Sequence, residues 1–340
     1  MRNNIFNIAV VGSGSWGTAL AVLLSRNGHI VKLWGHKSNH VANLLKDSEN
    51  KKYLPGIIFP ASLLPVAEIQ RAVENAHLVV MAVPSHAMRD IFSKVSPFLK
   101  DSCRLVSAIK GVENETLLTM TQVMGEVLFN CGKGSNKIEL GVLSGPSFAQ
   151  EVATCSPTAV TIGFKNISIA IEIQKVFVND YLRVYVSRDV LGIETCAALK
   201  NVIAIAAGVC EGLGYGFNTR AALITRGLAE MRRLGNSINI EDATFFGLSG
   251  IGDLILTCTG DLSRNRMVGI QLGKGKYLSE IVDEMSMVAE GIKNTKSVYD
   301  LAKKHNIEMP IVEQVYQIVY NNKECSLAVR DLLKRDLKVE

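Results

Sequence analysis

The sequence predicts an α/β chain: an N-terminal doubly wound sheet followed by an all-helical C-terminal domain. Three observations carry that expectation. Short β-branched runs alternate with helical stretches through the first half. The runs are apolar almost throughout, as in strands covered on both faces by helices. Strand signals then end near residue 186 and only helical spacing remains. At 340 residues the chain exceeds the roughly 250 to 300 residues at which single cores stop growing. Two domains are therefore expected, 1–189 for dinucleotide binding and 190–340 for substrate binding and catalysis, with the boundary near Asp189.

In chain order, the strand candidates are Asn7 to Val11, Ile30 to Trp34, Leu78 to Val83, Arg104 to Ile109, Ile138 to Leu143, Thr158 to Ile162 and Leu182 to Val186. Beyond them, Ile193 to Val209 is apolar nearly all round, and Asn218 to Leu234 and Ile311 to Tyr320 carry helical spacing. No repeats or low-complexity segments interrupt this order.

Composition narrows the function classes. Hydrophobic residues at 48% and charged residues at 20% suit a globular enzyme and exclude a disordered chain. A net charge of +5, dispersed and without a basic stripe interleaved with aromatics, points to small anionic ligands and away from nucleic acid. Seven cysteines with no C-x-x-C pair and no metal-like spacing read as reduced thiols, so a cytoplasmic location and no metal are expected. The first six residues show no secretory pattern, and the longest apolar stretch, Val202 to Cys210, falls short of the roughly 18 to 20 residues a bilayer span needs.

Directly after the first strand stands Gly12-Ser13-Gly14-Ser15-Trp16-Gly17, a match to G-x-G-x-x-G that opens a helical pattern ending at Gly28. Gly12 would make the tight turn, Gly14 would let backbone approach a pyrophosphate, and Gly17 would permit close helix-to-strand packing. A Rossmann-like first domain follows. About 20 residues on, where NAD-selective sites place an acid, the chain has Gly35-His36-Lys37. His36 and Lys37 are read either as acceptors of a 2′-phosphate or as solvated loop residues, so NADP(H) and NAD(H) both stay open.

Lys110-Gly111 follows a strand, at a carboxyl end of the sheet where ligands of open α/β sheets bind; alone, it reads sooner as an exposed loop lysine. Ser144 to Ala149 suits either a ligand or an N-cap at Ser147. Lys200 is more telling. Its helical neighbours three and four residues away are Cys196, Ala197, Ile203 and Ala204, so it is the lone charge of its stripe. Such a lysine either snorkels or works, and burial would lower its pKa toward the range of a general acid/base. Asp253 lies in the glycine-flanked turn Gly250-Ile251-Gly252-Asp253, with Thr257 one turn on. Ser263-Arg264-Asn265-Arg266 offers an arginine fork and neutral donors suited to a phosphate; helix capping and a solvated face are the alternatives.

Together with Glu290-Gly291, these segments occur in the order seen in NAD(P)-dependent glycerol-3-phosphate dehydrogenases of the bacterial biosynthetic type, which the whole chain resembles. The resemblance implies Lys200 as catalytic acid/base. It implies Lys110, Gly145, Ser147, Lys200, Asn201, Asp253, Ser263, Arg264 and Asn265 as substrate contacts. It also implies Ser15, Trp16, His36, Lys110, Ala149, Arg264, Val288 and Glu290 as cofactor contacts, beside Gly12, Gly14, Gly17 and Lys37 from the motif reading. The implied reaction is reversible reduction of dihydroxyacetone phosphate to sn-glycerol 3-phosphate, feeding phospholipid synthesis. The rivals are a hydroxy acid or phosphosugar acid dehydrogenase of the same two-domain plan and a non-catalytic NAD(P) sensor. Surplus apolar surface on the helical domain would suit a homodimer.

Overall fold

The computed structural model describes residues 5–133, 138–285 and 289–336. The chain divides into two compact units, Met1–Ile109 with Thr119–Ile193 and Lys110–Leu118 with Glu194–Glu340. This division departs from the expected 1–189 and 190–340 in two respects. The short segment Lys110–Leu118 groups with the second unit, and the first unit runs on to Ile193; the Asp189 carboxylate accepts from the Gly192 N–H at 2.9 Å and caps the long helix that follows.

The first unit holds the strands β1 (Asn7–Val11), β2 (Ile30–Trp34), β3 (Glu49–Asn50), β4 (Leu54–Ile58), β5 (Leu63–Val66), β6 (Leu78–Met81), β7 (Arg104–Ser107), β8 (Glu139–Ser144), β9 (Thr158–Phe164) and β10 (Leu182–Ser187). Its helices are α1 (Ser15–Arg26), α2 (Ser38–Asp47), α3 (Ile69–Val73), α4 (Met88–Val95), α5 (Met120–Asn130), α6 (Ala149–Ala153) and α7 (Ile167–Phe177). The main sheet runs β10-β9-β8-β7-β6-β1-β2-β5, and β3 pairs with β4 separately. Val10, Val79, Val80 and Val106 are fully buried, which is why these strands are continuous apolar runs.

One pair departs from the parallel rhythm: β8 and β9 are antiparallel. The connection between them contains only the five-residue α6, about 7.5 Å of helix, too short to carry the chain back along a strand of about 20 Å. The chain order reverses between β1 and β6, so the loops after these two strands meet at the switch point of the sheet. There a Cβ at Gly12 would lie 2.4 Å from the Ala82 carbonyl oxygen, and one at Gly17 would lie 1.8 Å from that of Gly12.

The second unit is helical: α8 (Val190–Gly212), whose first residues lie in the first unit, then α9 (Phe217–Ser237), α10 (Asp242–Phe246), α11 (Asp253–Thr259), α12 (Arg264–Gly273), α13 (Leu278–Glu284), α14 (Glu290–Lys304), α15 (Pro310–Asn321) and α16 (Cys325–Leu333). Among the described residues α8 alone is long and apolar enough to cross a bilayer, but 94% of its apolar window is buried inside the protein. It is a core helix. Two glycine pairs let α12 lie against it. Gly208 and Gly212 meet Gly269 and Gly273, and a Cβ at Gly269 would stand 2.1 Å from the Ile205 carbonyl oxygen.

That contact yields a stability prediction. Alanine would gain about 1 kcal/mol of helix propensity over glycine. At Gly269, however, the methyl meets backbone, which cannot rotate away, so Gly269→Ala should destabilise by a net of about 1–3 kcal/mol. A thermal melt at or above that of the wild type would show that α8 and α12 do not need this approach.

Candidate active site

Three charged side chains from remote parts of the second unit converge below its surface. Asp253 stands at the start of α11, where the helix dipole favours a carboxylate. The chain reaches that point through the turn Leu248–Gly252, whose Gly250 would place a Cβ 2.2 Å from the Phe245 carbonyl oxygen; only glycine fits. One Asp253 oxygen takes the Lys200 ammonium at 2.9 Å and the other takes that of Lys110 at 2.7 Å. The three side chains are 1%, 5% and 17% exposed for Asp253, Lys200 and Lys110.

Burial by itself would raise the Asp253 carboxyl, but the two ammonium groups and their hydrogen bonds hold it below the usual carboxylate range. Lys200 moves down from the ordinary lysine value. Burial lowers it to about 8, Asp253 opposes that shift, and the charge of Lys110 adds to it. The Cys258 thiol nearby, pushed by burial to about 12, stays neutral. Of the three Lys200 donors, one goes to Asp253 and one to the Thr257 hydroxyl at 2.7 Å, which leaves one N–H for a reacting oxygen. Thr257 is fixed in turn by donating to the Asp253 carbonyl at 2.6 Å.

A lattice of amides sets the position of Lys110. Its carbonyl accepts from Asn201 at 3.1 Å and from Asn294 at 2.9 Å. The Asn201 oxygen accepts from Asn265 at 2.8 Å, and the Asn265 oxygen accepts from the Gly291 N–H at 2.9 Å. Four segments are thereby tied together: Lys110, α8, α12 and the start of α14. Asn294 went unnoticed in the sequence; its only signal is its place one turn beyond Glu290-Gly291.

The run Ser263–Arg266, read as a unit from the sequence, is divided by the helix. Ser263 caps α12 by accepting from the Arg266 N–H at 3.3 Å. Arg264 is exposed, within electrostatic reach of Glu290 at the start of α14. Asn265 is buried in the amide lattice. Arg266 makes a bidentate pair with Glu211 at 2.7 and 3.0 Å and also reaches Asp261, a structural clasp. Val288 lies outside the described residues.

In the first unit, Gly12, Gly14, Ser15, Trp16 and Gly17 turn from β1 into α1. Gly14 caps that helix with open space where a Cβ would be, and the first turn holds no acidic side chain. The positive end of α1 is thus shaped for a pyrophosphate, and the residues present fit a dinucleotide. His36 and Lys37 follow β2 and are exposed. Gly145, at φ +137°, Ser147, whose hydroxyl donates to the Gly145 carbonyl at 3.0 Å, and Ala149 follow the carboxyl end of β8.

Comparison with known proteins gives a consistent picture. The family model for the N-terminus of NAD-dependent glycerol-3-phosphate dehydrogenase matches residues 7–170, and the model for its C-terminus matches residues 189–330. The chain is 56% identical over 340 residues to the glycerol-3-phosphate dehydrogenase (NAD(P)+) of Desulfotalea psychrophila, covering 100% of both chains. It is 50% identical over 333 residues to that of Citrifermentans bemidjiense, covering 98% of each. The crystal structure of glycerol-3-phosphate dehydrogenase from Coxiella burnetii is similar at a TM-score of 0.93 and 37% identity, over 97% of this chain and 99% of that one.

The charge triad carries its own test. Asp253→Asn keeps the shape but removes the carboxylate paired with the buried Lys200 ammonium, at an expected cost of about 3–5 kcal/mol in urea unfolding. An unchanged unfolding midpoint would mean that the carboxylate does not hold the lysines.

Proposed function

We propose, because the chain belongs to the NAD-dependent glycerol-3-phosphate dehydrogenase family, that it interconverts dihydroxyacetone phosphate and sn-glycerol 3-phosphate with Lys200 as the acid/base. The observation that carries the role is the buried Lys200 ammonium, lowered to about 8, with one donor uncommitted. The coenzyme, NADP(H) or NAD(H), supplies or accepts the hydride at substrate C2. Lys200 gives a proton to the oxygen on C2 during reduction and takes it back during oxidation. Lys110 adds a second positive charge to stabilise the developing alkoxide, and Asp253 positions both ammonium groups.

Arg264, exposed at the start of α12, with the remaining N–H of Asn265, is assigned to the substrate phosphate. Gly145 and Ser147 are assigned to the substrate as well. Ser15, Trp16, His36, Lys37, Ala149, Val288 and Glu290 are assigned to the coenzyme. The reduced direction would supply glycerophospholipid synthesis in the cytoplasm, and a homodimer is the proposed assembly.

The test follows oxidation of NADH or NADPH by dihydroxyacetone phosphate, monitored by the loss of near-ultraviolet absorbance. Lys200→Met should lower kcat by about 10²–10⁴-fold. Reduction needs the ammonium and should decline as pH rises past about 8, while oxidation, which needs the free amine, should gain over the same range. In Asp253→Asn both limbs should move to lower pH, because the charge that holds the proton on Lys200 is gone. Folded protein that binds coenzyme and turns over no phosphorylated substrate would refute the assignment.

A further inference from the structure

Two histidines outside the site described above accept hydrogen bonds from the backbone where β1 begins, at the end of the strand away from the glycine-rich turn. The Phe6 N–H donates to Nδ1 of His29 at 3.3 Å, and the Asn7 N–H donates to Nδ1 of His77 at 3.0 Å. The Phe6 ring stands edge-to-face against both imidazoles, at 5.8 and 5.7 Å between ring centres.

His29 is 3% exposed, and its second nitrogen is committed as well: Nε2 lies 3.2 Å from the Val176 carbonyl near the end of α7, 147 residues on. A carbonyl only accepts, so Nε2 carries the hydrogen. An amide N–H only donates, so Nδ1 is bare. The two partners therefore fix one neutral tautomer. Asn27, which ends α1, donates to the same Val176 carbonyl at 2.9 Å and to that of Phe177 at 3.1 Å. The α1–β2 turn thus joins the start of β1 to the end of α7.

Protonation would place a hydrogen on Nδ1 opposite the Phe6 N–H, two donors facing each other with no water to replace the lost acceptor. Burial already lowers His29 from its ordinary value, and the Val176 contact opposes that shift. Charged groups on the packed elements are turned elsewhere. Arg26 on α1 donates to the Ala153 carbonyl and the Cys155 thiol, while Lys175 and Asp180 at the end of α7 are exposed. Beside His77, Glu74 accepts from Gln70, and Arg104, whose N–H donates to the His77 carbonyl at 2.9 Å, pairs with Glu172 at 3.9 Å.

We propose that His29, with His77 beside it, is an acid-sensitive latch: neutral, it holds the start of β1 and the end of α7 to the α1–β2 turn, and protonated, it releases them. Once opened, the imidazole is an ordinary one that titrates near about 6.5, so the open form binds the proton more readily than the closed form. The latch is fully effective above that pH and weakens as pH falls through it.

Hydrogen exchange of the whole chain at about pH 7.5 and about pH 5.5, read by mass spectrometry and corrected for the intrinsic pH dependence of exchange, tests the latch. In peptides covering Phe6 and Asn7, opening should rise severalfold toward acid, up to about tenfold for one proton, while peptides from α8 stay unchanged. His29→Asn keeps an acceptor for the Phe6 N–H without a titrating ring and should flatten that response. The ring nitrogen shifts of His29 in the wild type, measured by NMR at the higher pH, should show Nε2 protonated and Nδ1 bare. Opening that is equal at the two pH values overturns the proposal, as does a hydrogen on Nδ1 at the higher pH or a folded His29→Asn variant with the full wild-type response.

Discussion

A carboxylate at 1% exposure is the constraint around which the second unit is organised. Removing an ion from water costs several kcal/mol even after relaxation, so Asp253 cannot remain charged there unless cations are delivered to both of its oxygens. The chain delivers them from far along the sequence: Lys200 is carried by α8, and Lys110 is 143 residues distant. Each lysine in turn depends on the other elements for its place. The carbonyl of Lys110 is held by amides from α8 and α14, and Thr257 takes a second Lys200 donor so that the ammonium has a fixed direction. The fold can be viewed as the set of contacts that lets this triad close.

Close approach of backbones is what brings the amides within reach. Asn201 lies two turns before Gly208 on α8, and Asn265 one turn before Gly269 on α12. A hydrogen bond of 2.8 Å between two short side chains requires helix axes closer than ordinary side chains permit, and the facing glycine pairs supply that spacing. Packing and chemistry therefore share one cause, the absence of Cβ atoms at four positions. Gly291 repeats the device at the start of α14, where a Cβ would lie 2.7 Å from the Asn265 oxygen.

What could be read from the sequence follows from which signals are local. β1 and β2 fall within their expected bounds because a buried strand is a continuous apolar run. β5 escaped notice because Leu63-Leu64-Pro65-Val66 contains a proline, which a strand tolerates at a sheet edge, where β5 lies. The Pro55-Gly56 pair in β4 hid that strand as a turn. Lys200 was visible as the lone charge of its stripe on an apolar helix, and Asp253 as an acid among glycines. Asn294 was not, since its partner is a carbonyl 184 residues away and nothing near it in the chain records that contact. The run Ser263–Arg266 showed the right residue types, but a helix turns about 100° per residue, so adjacency in sequence could not reveal four separate fates.

In the proposed reaction the same triad would let a proton move between groups that are largely withdrawn from solvent. With Lys200 protonated, the two ammonium groups and one carboxylate sum to +1. In the proposed reduction this offsets the −1 that develops on the substrate oxygen as hydride arrives. Once the proton has moved, Lys200 is neutral, Lys110 and Asp253 cancel, and the oxygen is an uncharged hydroxyl. Counting these three side chains and the reacting oxygen, the total is zero on both sides of the step, so no net charge is created in a poorly solvating interior. A single buried lysine without Asp253 would be held neutral by desolvation and would have no proton to give. A lysine–aspartate pair without Lys110 would begin at zero and face the forming alkoxide uncompensated. In the proposed mechanism the second lysine would make a buried acid/base compatible with an anionic transition state.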